Sequence, residues 1–95
     1  MLEIKLGTND EVLLAGRFDA AQTDQAEAFF LSLSEGKVVD FAKLTYISSA
    51  GLGVLLEAQK RLQEKGQGLK LINANSHIRD IFRFTGFDRI FEIAD

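Results

Sequence analysis

The sequence predicts an α/β fold: a central mixed, largely parallel β-sheet flanked by α-helices. Short β-patterned runs alternate with helical stripes, glycine- or asparagine-rich clusters punctuate the junctions, and 95 residues suit one core. Leu2, Ile4 and Leu6 alternate with Glu3 and Lys5, the period of a half-buried strand. Gly7-Thr8-Asn9-Asp10 is a turn cluster, and Val12-Leu13-Leu14-Ala15-Gly16 reads as a second strand, expected to pair with the first as a hairpin. After Asp19, residues 20–34 have helical composition, with Ala26, Phe29, Phe30 and Leu33 on one stripe and Gly36 placed as the helix terminator. Lys37 to Phe41 reads as a short strand, and Leu44-Thr45-Tyr46-Ile47 as a separate β-rich run that stops at Ser48-Ser49. Helical spacing returns from Ala50 to about Lys65, with Leu52, Leu55, Leu56 and Leu62 on the buried stripe and Gly66-Gln67-Gly68 ending it. Leu69 to Ile72 is a strand, Asn73 to Ser76 supplies an N-cap, and His77 to Phe84 is a helix closed by Thr85-Gly86. Ile90-Phe91-Glu92-Ile93 forms the final short element. No repeat or linker interrupts the chain, so residues 1–95 are expected to form a single domain.

Composition narrows the function classes. The chain has no cysteine and one histidine, His77, which removes thiolate metal sites and leaves a histidine-based metal or nucleophile site little to work with. No cofactor or metal is expected. A net charge of −3 lacks the basic surplus that nucleic-acid backbones require. The first residues carry no basic segment followed by an apolar run, and no apolar stretch approaches the roughly 18 residues of a membrane span, so a soluble, cytoplasmic protein is expected. Gly51-Leu52-Gly53 lacks the lysine and spacing of a phosphate-binding loop. Ser48-Ser49-Ala50-Gly51 lacks the upstream glycine of a nucleophile elbow, Ile47 standing there instead, so no catalytic residue is assigned and the chain is not expected to be an enzyme.

The informative segment is the strand-to-helix junction Tyr46-Ile47-Ser48-Ser49-Ala50-Gly51-Leu52-Gly53. One reading is a plain N-cap, since a serine oxygen can accept from the unpaired N–H groups of a starting helix. The other is a hydroxyl presented for phosphorylation, because free N–H donors and the positive end of the helix dipole both favour an anion.

The stretch from Val38 to Leu56, with this junction at its centre, resembles the signature of the STAS domain family. Gly16-Arg17-Phe18-Asp19, Leu69-Lys70-Leu71-Ile72-Asn73 and the segment from Ile78 through Gly86-Phe87 to Phe91 extend the resemblance over the whole chain. The resemblance to anti-sigma factor antagonists implies a transcription regulator that binds an anti-sigma factor with serine kinase activity. It implies phosphorylation at Ser49, with Ser48 as the less favoured acceptor, and reset by a PP2C-type phosphatase. Where the family often has an aspartate before the phosphoserine and a Ser or Thr after it, this chain has Ser48 and Ala50. Ser48, Ala50, Gly51, Leu52 and Gly53 then belong to the partner-binding surface. Asp19 and Asp40 match acidic positions near the phosphoserine and are expected at the same sheet edge, each with a simpler reading as a cap or turn residue. A monomer is expected when free. The alternative implied by the same family is an accessory subunit that braces the ATPase of a lipid-trafficking transporter, without phosphorylation.

Overall fold

The computed structural model describes residues 1–94. Its elements run β1 (Leu2–Leu6), β2 (Val12–Phe18), a 3-10 turn (Ala20–Gln22), α1 (Thr23–Leu31), β3 (Lys37–Ile47), α2 (Ser49–Gln63), β4 (Leu69–Ile72), α3 (Ser76–Thr85), a second 3-10 turn (Phe87–Arg89) and β5 (Glu92–Ala94). The five strands lie in sequence order in one sheet. β1 pairs antiparallel with β2, and the remaining three pairings are parallel. The mixed, largely parallel α/β sheet read from the sequence is the one observed.

Sequential order with parallel crossovers of one hand places the helices on one face of the sheet. The burial alternation agrees. Val12, Leu14 and Phe18 of β2 and Val39, Phe41, Leu44 and Ile47 of β3 are buried, whereas Leu13, Ala15, Asp40, Ala42 and Lys43 between them are not. Under the helices, Phe30, Leu52, Leu55, Leu62, Ile78, Phe82 and Phe91 complete one hydrophobic cluster. Phe82 packs edge-on to Phe91 at 5.7 Å between ring centroids, a favoured geometry for aromatic pairs.

The structure differs from the sequence reading at three places. The two β-rich runs at 37–41 and 44–47 form one strand of 11 residues. Their apparent break is a pair of register shifts against β2, where Leu13 and Ala15 face Asp40 and Lys43, and Gly16 and Arg17 face Leu44 and Tyr46. Each shift inserts one extra β3 residue, which defeats period-two counting while leaving the strand intact. The helix expected over residues 20–34 begins as a 3-10 turn capped by Asp19 and ends at Leu31. Gly36 is therefore not its terminator; Arg61 of α2 reaches across to donate to the Leu31 carbonyl at 2.8 Å. At the other helix ends the glycine reading holds. Gly86 adopts φ 78° at the end of α3, and the Gly66 and Gln67 N–H groups bond the Gln63 and Leu62 carbonyls at 3.0 and 2.8 Å, closing α2.

One buried polar side chain ties the layers together. Gln59 of α2 accepts from Leu69 N–H at 2.7 Å and donates to the Ile90 carbonyl at 2.9 Å. It joins the helix to β4 and to the turn before β5.

Candidate functional site

The C-terminal ends of β2 and β3 meet at a single backbone bond: Ser48 N–H donates to the Phe18 carbonyl at 2.8 Å. Asp19 and Ser49 each lie one residue beyond that bond, so the parallel pairing places them side by side at this end of the sheet. Asp19 caps the following turn, accepting from Ala21 N–H at 3.2 Å while Gln22 reaches back to the Asp19 N–H. Its other oxygen lies 3.9 Å from Arg17 Nε, and the Arg17 guanidinium sits 4.3 Å above the Tyr46 ring. The groups are exposed, so this ion pair is worth little stability. It positions Arg17 at the rim of the site.

The two serines have different jobs. Ser48 is the N-cap of α2: its backbone is extended and its Oγ accepts from Gly51 N–H at 3.1 Å. Ser49 is the first helical residue, is exposed, and makes no side-chain hydrogen bond among the described residues. The plain-cap reading and the presented-hydroxyl reading thus fall on neighbouring residues.

The rest of the junction divides by the helical period. Gly51 and Leu52 are buried, which corrects their placement on the partner surface. A Cβ on Gly51 would stand 3.0 Å from Ile47 and Phe18 side-chain atoms, so glycine here lets the first turn of α2 lie against the sheet. Gly53 is one turn along from Ser49 and exposed, and a Cβ built on it would meet nothing within 4 Å. The helix face one turn along from Ser49 is therefore uncovered. Ala50 is half-buried at the edge of this surface.

Asp40 is not part of the site. It lies in the first half of β3, seven residues before Ile47, or roughly 20 Å along the strand. It pairs with Ile72 because β4 is short and ends there, so the strand-end argument that joined it to Ser49 applies to β4 and not to β3. Its Oδ1 accepts from Ala42 N–H at 2.9 Å and Asn73 Nδ2 at 3.1 Å, a role in shaping the bulge and the turn after β4.

Sequence reasoning missed the pairing of Arg17 with Tyr46 beside Asp19. The available signal was weak: both stand one residue inside their strand ends, but the β3 bulge had to be known before they could be paired. The exposed Phe84 and His77 of α3 lie on another element. Among the described residues, no three His, Cys, Asp or Glu side chains converge as a metal site, and no helix is long and apolar enough to cross a membrane.

Comparison with known proteins joins this geometry to a family. A family model described as "Mlab, STAS domain" matches residues 5–93. The chain is 36% identical over 86 residues to BtrV of Bordetella bronchiseptica, provisionally named an anti-sigma factor antagonist, covering 86% of this chain and 74% of that protein. It is 30% identical over 98 residues to the anti-sigma-B factor antagonist of Listeria monocytogenes, covering 97% and 86% respectively. Among solved structures, the Bacillus cell-fate determinant SpoIIAA in its phosphorylated form superimposes with a TM-score of 0.70 at 20% identity, over 100% of this chain and 92% of that one, which is a likeness of fold. With the serine junction, the one-sided sheet and the length of the match in agreement, the chain belongs to the STAS domain family.

Proposed function

We propose that this protein is an anti-sigma factor antagonist-like regulator that docks on a partner through the β2–β3 end of its sheet and is switched by phosphorylation of Ser49. The observation that carries the proposal is the division of labour at the junction: Ser48 caps the helix, leaving the Ser49 hydroxyl exposed and unbonded among the described residues, one turn from the uncovered Gly53. The names of the two relatives supply the partner class, an anti-sigma factor. A serine kinase activity of that partner delivers the phosphoryl group to Ser49 Oγ, and a PP2C-type phosphatase removes it.

The physics of such a switch is local. A phosphate adds about −1.5 to −2 charges and finds the N–H groups and positive dipole end of α2 beneath it, so the fold tolerates it. Asp19 next door makes the same edge doubly acidic. A partner surface shaped for a neutral hydroxyl must then bury uncompensated charge, which costs several kcal/mol. A 100-fold loss of affinity needs only about 2.7 kcal/mol. The protein acts here by binding, not by catalysis.

The test uses the partner kinase with the wild-type chain, Ser49→Ala and Ser48→Ala. Phosphosite mapping should place the modification on Ser49, Ser49→Ala should bind without being modified, and the phosphorylated chain should bind at least about 100-fold more weakly. Phosphate on Ser48, or unchanged affinity after modification, removes the switch.

A second reading keeps the surface and drops the modification. Ser48 stands where antagonists often have an acidic residue, and the matching family model is described by the name Mlab. Both favour an accessory subunit that braces a transporter ATPase. Protein purified from its native cell would then carry no phosphate and would co-purify with an ATPase in place of an anti-sigma factor.

A further inference from the structure

The free edge of β1 has a self-complementary pattern. Met1 O accepts from Arg17 N–H at 2.9 Å, and Gly7 N–H donates to Glu11 O at 2.7 Å. With the register Leu2 to Gly16 through Leu6 to Val12, these bonds bracket the hairpin and fix its parity. Residues 1, 3, 5 and 7 bond inward to β2, so the N–H and C=O groups of Leu2, Ile4 and Leu6 point outward, away from the sheet.

We propose that two copies of this chain associate by antiparallel pairing of β1 with β1 of the second copy, about a two-fold axis at Ile4. Around that centre, Ile4 faces Ile4, Leu2 faces Leu6, and Glu3 faces Lys5. The three facing pairs among Leu2, Ile4 and Leu6 are the hydrogen-bonded kind, so the outward donors and acceptors of β1 find partners. Glu3 and Lys5 fall in the closely spaced non-hydrogen-bonded pairs, where opposite charges attract best. Parallel self-pairing would instead set Glu3 on Glu3 and Lys5 on Lys5, so the charges select the antiparallel arrangement.

Two features of the edge fit this occupant. Leu6 is 52% exposed on the free chain, and pairing brings it beside Leu2 of the second copy. The strand LEIKL has no proline or bulge to block pairing, and its two charges, which would protect the edge against other strands, are of opposite sign and match one another in this antiparallel register. One contact already uses the edge: Gln25 Nε2 of α1 donates to Leu2 O at 3.2 Å. A carbonyl has two lone pairs, so the Leu6 N–H of the second copy can share that acceptor. The site around Ser49 stays free, because it lies at the ends of β2 and β3 and not along the β1 edge. On this proposal the free chain, expected from its sequence to be a monomer, forms a weak dimer at high concentration.

The test exploits the fact that Glu3 and Lys5 are exposed and face Ala15 and Leu13 of β2, so charge reversal leaves the fold undisturbed. Asp40 and Lys43 are the other charges lining the same depression. Sedimentation analysis of the chain, tagged only at its C-terminus, should show monomer–dimer exchange as concentration rises toward about 1 mM, the range of a small interface. Glu3→Lys and Lys5→Glu should each weaken association about tenfold or more, and the double swap E3K/K5E should restore it, with unchanged thermal midpoints certifying the fold. Amide exchange at Leu2, Ile4 and Leu6 should slow with concentration in the wild type. A monomer throughout, a single reversal that dimerises like wild type, a double swap that stays monomeric, or protection confined to other residues overturns the proposal.

Discussion

The two ends of the sheet handle their polar groups in opposite ways. At the end where β3 begins, Lys37 donates to Asp10 and lies 3.7 Å from Glu35, so its charge is paired within the chain. The hydrogen bond to Asp10 is the main cause that holds the Lys37 ammonium above its ordinary value of 10.5. At the end where β3 finishes, Ser48 is consumed by the cap and Ser49 is left open. One end is closed by its own residues, and the other leaves a hydroxyl exposed. The lesson is that an exposed polar group carries information chiefly where its neighbour already meets the local structural need.

Substitutions can break this contrast. The largest stability effect should come from Gly51→Val, which drives side-chain atoms into Phe18 and Ile47 and lifts α2 off the sheet; chemical denaturation should record a loss of about 1–3 kcal/mol. Ser48→Ala should cost about 1 kcal/mol through the lost cap, whereas Ser49→Ala should stay within about 0.5 kcal/mol, and equal losses would erase the division of labour. Gly53→Ala should change stability in the opposite direction, by about +0.5 to 1 kcal/mol, because the added methyl meets open space and helix propensity improves. The same substitution adds a methyl to the helix face that carries Ser49, so affinity for a partner docked there should fall while the melting temperature rises.

The smallest effect belongs to the closed end. Lys37 has its value raised in the folded state, so its contribution is fully present below pH 10.5 and is lost as pH climbs through the raised value. Thermal melts of wild type and Lys37→Met should differ by a constant amount at neutral pH and converge in strongly alkaline solution. Because the partners Asp10 and Glu35 are exposed, the difference should be modest.

Much of the fold was legible because its signals are local. The strand Leu69–Ile72 matches the reading residue for residue, Gly86 ends α3 as expected, and of the stripe Ala26, Phe29, Phe30 and Leu33, Ala26 and Phe30 are buried on α1, Phe29 is half-buried and Leu33 is buried past the helix end. The misreadings share a cause. Residue type alone suggests a break at Ala42-Lys43 and a helix end at Gly36, yet the first is a bulge set by the partner strand and the second is bypassed by Arg61 from another helix. Gln59 gives no signal in sequence, since a glutamine on a helix is ordinarily solvated, and only the closure of α2 over β4 turns it inward.

The serine junction shows the same division within one motif. Sequence alone determined that a helix starts there, that two hydroxyls flank its first residue, and which family the pattern resembles, because these depend on residue identity and spacing along the chain. Tertiary structure decided which hydroxyl caps the helix, that Asp19 lies at the same end of the sheet and that Asp40 does not. Those outcomes depend on how far each strand runs beside its neighbours, and strand length is settled by pairing and bulges across the sheet, which no single segment encodes.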